Sequence, residues 1–176
     1  RISPGKALEV FSIFDSLRWP SLGLARRNFN NLRYLPSMPR RQISGLRGII
    51  PGASRGIGRG IALAMAETGA DVIVHYARKS SMADEVACEI QAMGRRAIAV
   101  KANFAEKEKI DAMLDHIEDV FGGVDIFVAN AASGGFRPMM ETGDKHWDWA
   151  MDVNARSILH CVQRLSPHME RQRWGR

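Results

Sequence analysis

The chain has 176 residues, of which 45% are apolar and 25% charged, a composition typical of one globular domain and not of a collagen, a coiled coil or a wholly disordered chain. Its two cysteines, Cys88 and Cys161, are too few for a disulfide scaffold and favour a reducing, cytoplasmic compartment. Neither cysteine has metal-ligand spacing, so no metal site is expected. No apolar run approaches the roughly 18 residues that a membrane span needs.

The net charge of +6 is concentrated in the first quarter of the chain. Residues 1–47 hold nine Lys/Arg against two acids, whereas residues 48–176 hold sixteen against seventeen. We therefore predict a basic, disordered N-terminal extension over residues 1–45 and a folded domain over residues 46–176. Three interpretations of the extension stay open: a tail without a role, which we favour, an organelle transit peptide, or a contact with nucleic acid or anionic lipid. The first residue is not methionine, so we expect a fragment or a processed form.

From Leu46 onward the sequence alternates between strand and helix patterns. Short apolar or β-branched runs predict four strands, at 46–50, 71–76, 97–101 and 125–129. Apolar residues at helical spacing predict four helices, at 58–67, 80–93, 107–121 and 145–165, with Pro167 ending or bending the last. Since every strand is followed by a helix, we expect an α/β fold with a doubly wound parallel sheet and right-handed crossovers.

A glycine-rich turn joins the first strand to the first helix. It reads G-A-S-R-G-I-G at 52–58. Glycine lets the backbone turn tightly and approach a pyrophosphate, which the N–H groups and dipole of the following helix then bind. It is not a Walker loop, because no Gly-Lys-Ser/Thr follows. The alternative is a turn that only packs the helix on the sheet.

Three motifs together resemble the short-chain dehydrogenase/reductase family. They are G-A-S-R-G-I-G at 52–58, N-A-A-S at 130–133 and D-V-N-A-R-S at 152–157. The resemblance covers residues 46–176 and implies the cofactor-binding half of a Rossmann-type oxidoreductase, incomplete as a sheet.

Within that family, a further set of segments looks most like enoyl-acyl-carrier-protein reductase III: K-A-N at 101–103, A-N-A-A-S-G at 129–134, R-P-M-M-E at 137–141 and H-W-D-W at 146–149. This likeness implies reduction of an enoyl acyl thioester, free or carrier-protein-linked, in fatty-acid synthesis by a homo-oligomer. The alternatives are a 3-oxoacyl reductase, an alcohol dehydrogenase of the same family, and a non-catalytic dinucleotide-binding module. No nucleic-acid partner is expected.

The cofactor expected is NADP(H). An NAD-binding fold usually has an acid at the end of its second strand, but here that end reads H-Y-A-R-K at 75–79. Arg55 in the glycine loop and Arg78 suit the 2′-phosphate of NADP(H), because guanidinium groups match phosphate geometry. The alternative is that Arg78 and Lys79 only solvate the start of a helix.

The resemblance extends the cofactor site to the ends of the third and fourth strands. Asn103 and Phe104 would border the adenine, and the small residues after the fourth strand would pass close to a ribose. The complete predicted cofactor set is Gly52, Ser54, Arg55, Gly56, Ile57, Gly58, Tyr76, Arg78, Asn103, Phe104, Asn130, Ala131 and Ala132.

Of the family's catalytic set, the resemblance carries over only Asn154, which would support a water in the proton relay. The family's tyrosine acid and its lysine form Y-x-x-x-K, but Tyr34 is followed four residues on by Met38, and Tyr76 by Ser80. We therefore expect this chain to bind cofactor without turning over.

Three further expectations concern the ends of the strands. Pro51 stands where the family usually has threonine, so the glycine loop is expected to be slightly shifted and cofactor affinity lowered. The strand at 125–129 is expected to leave an open, apolar, aggregation-prone sheet edge. The loop at 133–140 is the expected place of substrate contact, because ligands of open α/β sheets bind at the carboxyl ends of the strands.

Overall fold

The computed structural model describes residues 43–135 and 137–176, so the predicted extension over residues 1–45 lies almost entirely outside the described residues. The elements follow one another as strand and helix. They are β1 Arg47–Ile50, α1 Gly56–Glu67, β2 Asp71–Tyr76, α2 Ser80–Ala92, β3 Ala97–Lys101, α3 Lys107–Phe121, β4 Ile126–Phe127, a 3-10 turn Met139–Glu141, α4 Asp144–Met151, a π-helical turn Asp152–Arg156 and α5 Ser157–Arg171. β2, β3 and α3 have the predicted bounds.

The four strands form one parallel sheet in the order β3-β2-β1-β4. Successive strand residues point to opposite faces, so Ile49 packs with α3 and α5 while Ile50 packs with α1 and α2. Both faces are therefore apolar and covered by helices, which is the doubly wound α/β fold expected from the sequence. The strand order reverses between β1 and β4, and the carboxyl ends of these strands frame the site described below.

β4 is shorter than the predicted strand at 125–129, and Pro51 accounts for the difference. The pairing of β1 with β4 ends at Ile49 and Phe127, after the Val128 N–H has donated to the Ile49 carbonyl at 3.0 Å. The next bond of a parallel ladder would need an N–H at position 51, which proline lacks. The ladder therefore stops where the glycine loop begins.

Replacing Pro51 with threonine tests this explanation. We expect the Pro51→Thr chain to gain an exchange-protected amide at position 51 that donates to β4. Its free energy of unfolding should change by less than about 1 kcal/mol, because the gained hydrogen bond is offset by the lost proline restriction of the unfolded chain. Hydrogen–deuterium exchange of the two chains measures the first effect and urea unfolding the second. An amide at position 51 that exchanges as fast as a free one contradicts the explanation.

The last predicted helix, at 145–165, is interrupted and longer than expected. One π-helical turn separates α4 from α5, and α5 continues through Pro167 to Arg171 rather than ending or bending there. Cys161 and Leu165, before the proline, are buried in the core that also holds α3, and Met169, after it, packs against the same core. Packing on both sides of the proline therefore maintains the helix. Pro167 itself is exposed, where water can satisfy the backbone carbonyl that its missing N–H leaves unbonded.

The outer edge of β4 is not fully open, contrary to expectation. The Arg176 N–H donates to the Asp125 carbonyl at 3.0 Å, and the Phe127 N–H donates to the Arg176 carbonyl at 2.7 Å. These are the two bonds of a parallel strand pair. The edge of β4 is therefore paired at Asp125 and Phe127, and the aggregation expected from an open edge stays a prediction. Within the ranges described, no helix is both long and apolar enough to cross a membrane.

Candidate cofactor site

The glycine loop lies at the carboxyl end of β1 and turns directly into α1. Gly52 and Gly56 have φ angles of +77° and +57°, which L-residues with a side chain rarely adopt. Gly58 is buried, and a Cβ atom there would overlap the Gly52 carbonyl oxygen and lie 2.6 Å from Asn130 Nδ2. The N-cap residue Arg55 makes no side-chain cap hydrogen bond, so it leaves the first-turn N–H groups available to a phosphate.

Asn130 ties the carboxyl end of β4 to this loop. Its Nδ2 donates to the Pro51 carbonyl at 2.9 Å and, more weakly, to the Gly52 carbonyl at 3.4 Å. A Cβ atom on Gly52 would lie 3.4 Å from the Ala131 backbone, so the two segments are closely packed. The structure thus brings Asn130 and Ala131 beside the glycine loop, and their predicted approach to a ribose stays a prediction.

The cationic side of the site is formed at the end of β2. Arg78 and Lys79 are exposed after that strand, and Arg55 is exposed in the glycine loop. Among the residues that the structure describes, neither Arg55 nor Arg78 is ion-paired with a carboxylate. No carboxylate neutralises either guanidinium group within that part of the chain, so both are suited to bind a phosphate.

The residues predicted to border the adenine differ in exposure. Asn103 is exposed and closes a turn, because its Oδ1 accepts from the Ala105 N–H at 3.2 Å and its Nδ2 donates to Glu106 Oε1 at 2.5 Å. Phe104 is buried, and its ring centroid lies 4.4 Å from that of His75. Its aromatic ring therefore belongs to the core, and the predicted place of Phe104 beside the adenine stays a prediction.

Asn154 lies on the π-helical turn and holds the loop that follows β4. Its Oδ1 accepts from the Ser133 N–H at 2.8 Å, while its Nδ2 donates to the Ser133 carbonyl at 2.6 Å and the Ala150 carbonyl at 2.8 Å. Both backbone polar groups of Ser133 are thus bonded to one side chain. The predicted water of a proton relay stays a prediction; the observed contacts make Asn154 the link between the helical layer and the site.

The sequence interpretation assigned no role to His75. This histidine is 2% exposed on β2, and the Gly52 N–H donates to its Nδ1 at 3.1 Å. The available signal was a polar residue directly after the apolar, buried run Val72–Val74 of β2. A buried polar side chain needs hydrogen-bond partners, and the polar backbone nearest a strand end is the adjoining loop.

Residues 48–176, which contain the glycine loop, Asn130 and Asn154, match the family described as short chain dehydrogenase. The chain belongs to this family. As a short-chain dehydrogenase it is 39% identical over 127 residues to the 3-oxoacyl-[acyl-carrier-protein] reductase FabG of Staphylococcus epidermidis, over 72% of this chain and 52% of that protein. The resemblance inferred from the motifs is therefore confirmed at the level of the family.

Two solved structures share the fold. A short chain dehydrogenase from Burkholderia cenocepacia in complex with NADP is 33% identical with a TM-score of 0.69, over 72% of this chain and 51% of that one. A 7α-hydroxysteroid dehydrogenase complexed with NADH and 7-oxo glycochenodeoxycholic acid is 33% identical with a TM-score of 0.70, over 74% and 51% of the two chains. The present chain spans about half the length of these relatives. Since the fold accepts both cofactors, the choice between them depends on this chain's own residues.

Proposed function

We propose that this short-chain dehydrogenase chain is the NADP(H)-binding part of an oxidoreductase that reduces a 3-oxoacyl thioester, carried by a small thiol or by a carrier protein. The observation that carries the cofactor assignment is the glycine loop at the carboxyl end of β1, flanked by the exposed cations Arg55 and Arg78 with no acid at the end of β2. The 39% sequence identity to a 3-oxoacyl-[acyl-carrier-protein] reductase favours a 3-oxoacyl thioester as substrate. It does not favour the enoyl thioester that the sequence motifs alone predict.

The residues of the site would divide the binding of the cofactor among them. The N–H groups of the first turn of α1 would bind the pyrophosphate, and Arg55 and Arg78 the 2′-phosphate. Asn130 holds the loop that receives the pyrophosphate, and Asn154 fixes the Ser133 backbone beside it. When bound, NADPH supplies the hydride for the reduction. The residues of this chain orient the cofactor, and the sequence of 176 residues contains no Y-x-x-x-K to supply the proton.

The cofactor preference gives a direct test on this chain. Titration with NADPH and with NADH, followed by cofactor fluorescence, should show NADPH binding about tenfold or more tightly, since a charge-assisted hydrogen bond contributes roughly 1.5–3 kcal/mol. The Arg78→Asp substitution should remove most of this preference. Arg171→Asp makes the same charge change near the amino ends of the strands, and should leave the preference intact. Equal binding of the two cofactors by the unsubstituted chain would contradict the assignment.

The reaction is tested with the product of the whole reading frame that contains these residues. NADPH oxidation with a 3-oxoacyl thioester that exceeds oxidation with an enoyl thioester supports the proposed reaction, and the reverse order supports enoyl reduction. Binding of NADPH without oxidation in the presence of either substrate would favour a non-catalytic dinucleotide-binding module. For the 176-residue chain alone we expect binding and no oxidation.

Self-association and location stay predictions. On α4 and α5 several large apolar side chains are exposed, among them Trp147, Met151, Leu159 and Val162. Such a surface is compatible with the homo-oligomer expected from the resemblance. A cytoplasmic location and the role of the basic extension also stay predictions, since residues 1–42 lie outside the part of the chain that the structure describes.

A further inference from the structure

His75 lies between two parts of the proposed cofactor site that are distant in sequence. One is the glycine loop after β1, and the other is the turn between β3 and α3 that holds Asn103. The imidazole is buried on β2, the strand between β1 and β3 in the sheet. A buried imidazole without hydrogen-bond partners would be costly, so the partners of its two ring nitrogens are informative.

Each ring nitrogen of His75 is bonded to the backbone of a different segment. The Gly52 N–H donates to Nδ1 at 3.1 Å, and Nε2 lies 3.1 Å from the Ala102 carbonyl oxygen. Because the Gly52 N–H is the donor, Nδ1 carries no proton, and the proton on Nε2 is donated to Ala102. The backbone adds a third link, since the His75 carbonyl accepts from the Ala53 N–H at 3.1 Å.

The surroundings of His75 keep it in this neutral form. Its ring packs on the buried ring of Phe104 at an interplanar angle of 43°. Burial lowers the pKa of His75 to about 4, against the opposing effect of the hydrogen bond to Ala102. At neutral pH Nδ1 is therefore available as an acceptor, and the loop N–H that it bonds is held in one direction.

We propose that His75 is a positioning residue that sets the glycine loop and the β3–α3 turn at the spacing required by the adenosine diphosphate part of the cofactor. The inference rests on the proposed function. Gly52 begins the loop that would bind the pyrophosphate, and Ala102 precedes the turn that would border the adenine. One imidazole joins the two, so displacement of either segment changes the position of the other.

Three substitutions separate the two hydrogen bonds. In His75→Asn the amide oxygen can take the place of Nδ1 and keep the bond from Gly52. In His75→Gln the longer side chain places its amide nitrogen near Nε2 and keeps only the bond to Ala102. In His75→Phe the ring shape is retained without either bond. Each variant loses at least one of the two bonds and leaves the two segments unjoined, so we expect the NADPH dissociation constant to rise about tenfold in all three, as for loss of one buried hydrogen bond.

A matched control separates positioning from stability. Val74 precedes His75 on β2, is fully buried and faces the α1 and α2 side of the sheet. Val74→Ala should therefore lower the free energy of unfolding without changing the NADPH dissociation constant. A nitrogen NMR spectrum of the His75 ring adds a signature that stability does not change: Nε2 should carry the proton and Nδ1 should not.

The comparison of the asparagine and glutamine variants decides the outcome, even if the phenylalanine variant does not fold. Weaker NADPH binding by both of these variants supports the inference. NADPH binding by either folded variant as tight as that of the unsubstituted chain, or a proton on Nδ1, overturns it while leaving the proposed function intact. Failure of the unsubstituted chain to bind either NADPH or NADH overturns the proposed function together with the inference.

Discussion

Substitution of Asp125 by asparagine is expected to lower the free energy of unfolding by about 3 kcal/mol, because it leaves the Arg47 guanidinium partly buried without its counter-charge. The Asp125 side chain is 3% exposed. Its Oδ2 accepts from the backbone N–H and from Nε of Arg47, both at 2.8 Å, and its Oδ1 accepts from Arg47 Nη2 at 2.8 Å and from Gln172 Nε2 at 2.6 Å. Arg47 Nη1 also donates to the Phe121 carbonyl at 3.1 Å. This one carboxylate thus connects β1, the start of β4 and the chain after α5.

The same carboxylate should make stability depend on pH in the acid range. Burial alone would raise the pKa of Asp125, but hydrogen bonds from Arg47 and Gln172 outweigh burial and lower it to about 2. Since the folded pKa lies below the unfolded value of 3.8, the stabilisation is complete above about pH 4 and is lost as the pH falls toward 2. Urea unfolding between pH 7 and pH 2.5 should show this loss, and the Asp125→Asn chain should show less of it.

Glu89→Gln serves as the matched control for Asp125→Asn. Glu89 pairs with Arg59 at 2.6 Å, but both side chains are more than 40% exposed, so loss of the pair should cost less than about 1 kcal/mol. An Asp125→Asn chain that is no less stable than the control would refute the importance assigned to the buried pair.

The second large effect is expected at Gly58. A Cβ atom there meets the Gly52 carbonyl oxygen and Asn130 Nδ2, neither of which can withdraw without moving the glycine loop. Gly58→Ala should therefore destabilise the fold by roughly 1–3 kcal/mol, as overpacking does. It should also weaken NADPH binding by more than tenfold, because the loop N–H groups lose their alignment. Unfolding in urea and cofactor titration measure the two effects separately.

Gly60 provides a control two residues further along the same helix. Among the residues that the structure describes, no atom outside the helix's own neighbouring backbone lies within 4 Å of a Cβ atom built there. Gly60→Ala should therefore stabilise α1 by up to about 1 kcal/mol, through helix propensity alone, and leave the NADPH dissociation constant unchanged. If Gly58→Ala and Gly60→Ala bind NADPH equally well, the close packing of Gly58 against the glycine loop is not what aligns the loop N–H groups.

The elements that sequence predicted best are those whose pattern reflects burial. β2, β3 and α3 were placed to the residue, because a strand covered on both faces is continuously apolar and a helix on one face shows its apolar stripe. β4 was predicted too long, because its end depends on a proline that lies 77 residues earlier in the chain. The π-helical turn was not predicted, because D-V-N-A-R has no local feature against an α-helix. Its geometry accompanies the two hydrogen bonds between the Asn154 side chain and the Ser133 backbone.

In the site, too, features with a local sequence pattern were predicted, and features that depend on contacts between distant residues were not. Gly52, Gly56 and Gly58 were found because a backbone that must turn tightly leaves glycine in the sequence. His75 was not found, because its partner Gly52 lies 23 residues away and only the pairing of β1 with β2 brings the two together. The burial of the Phe104 ring was not predicted, because an apolar side chain after a strand does not itself indicate which way it faces. The predicted place of Phe104 beside the adenine stays a prediction.

The pairing of Arg176 with the edge of β4 has a practical consequence for handling the protein. A chain that leaves residue 176 in register with a parallel strand is directed along β4 toward the carboxyl ends of the sheet, where the glycine loop lies. A purification tag or fluorescent fusion attached after residue 176 would therefore be guided toward the glycine loop. Titrations on C-terminally tagged material should therefore be repeated after the tag has been cleaved.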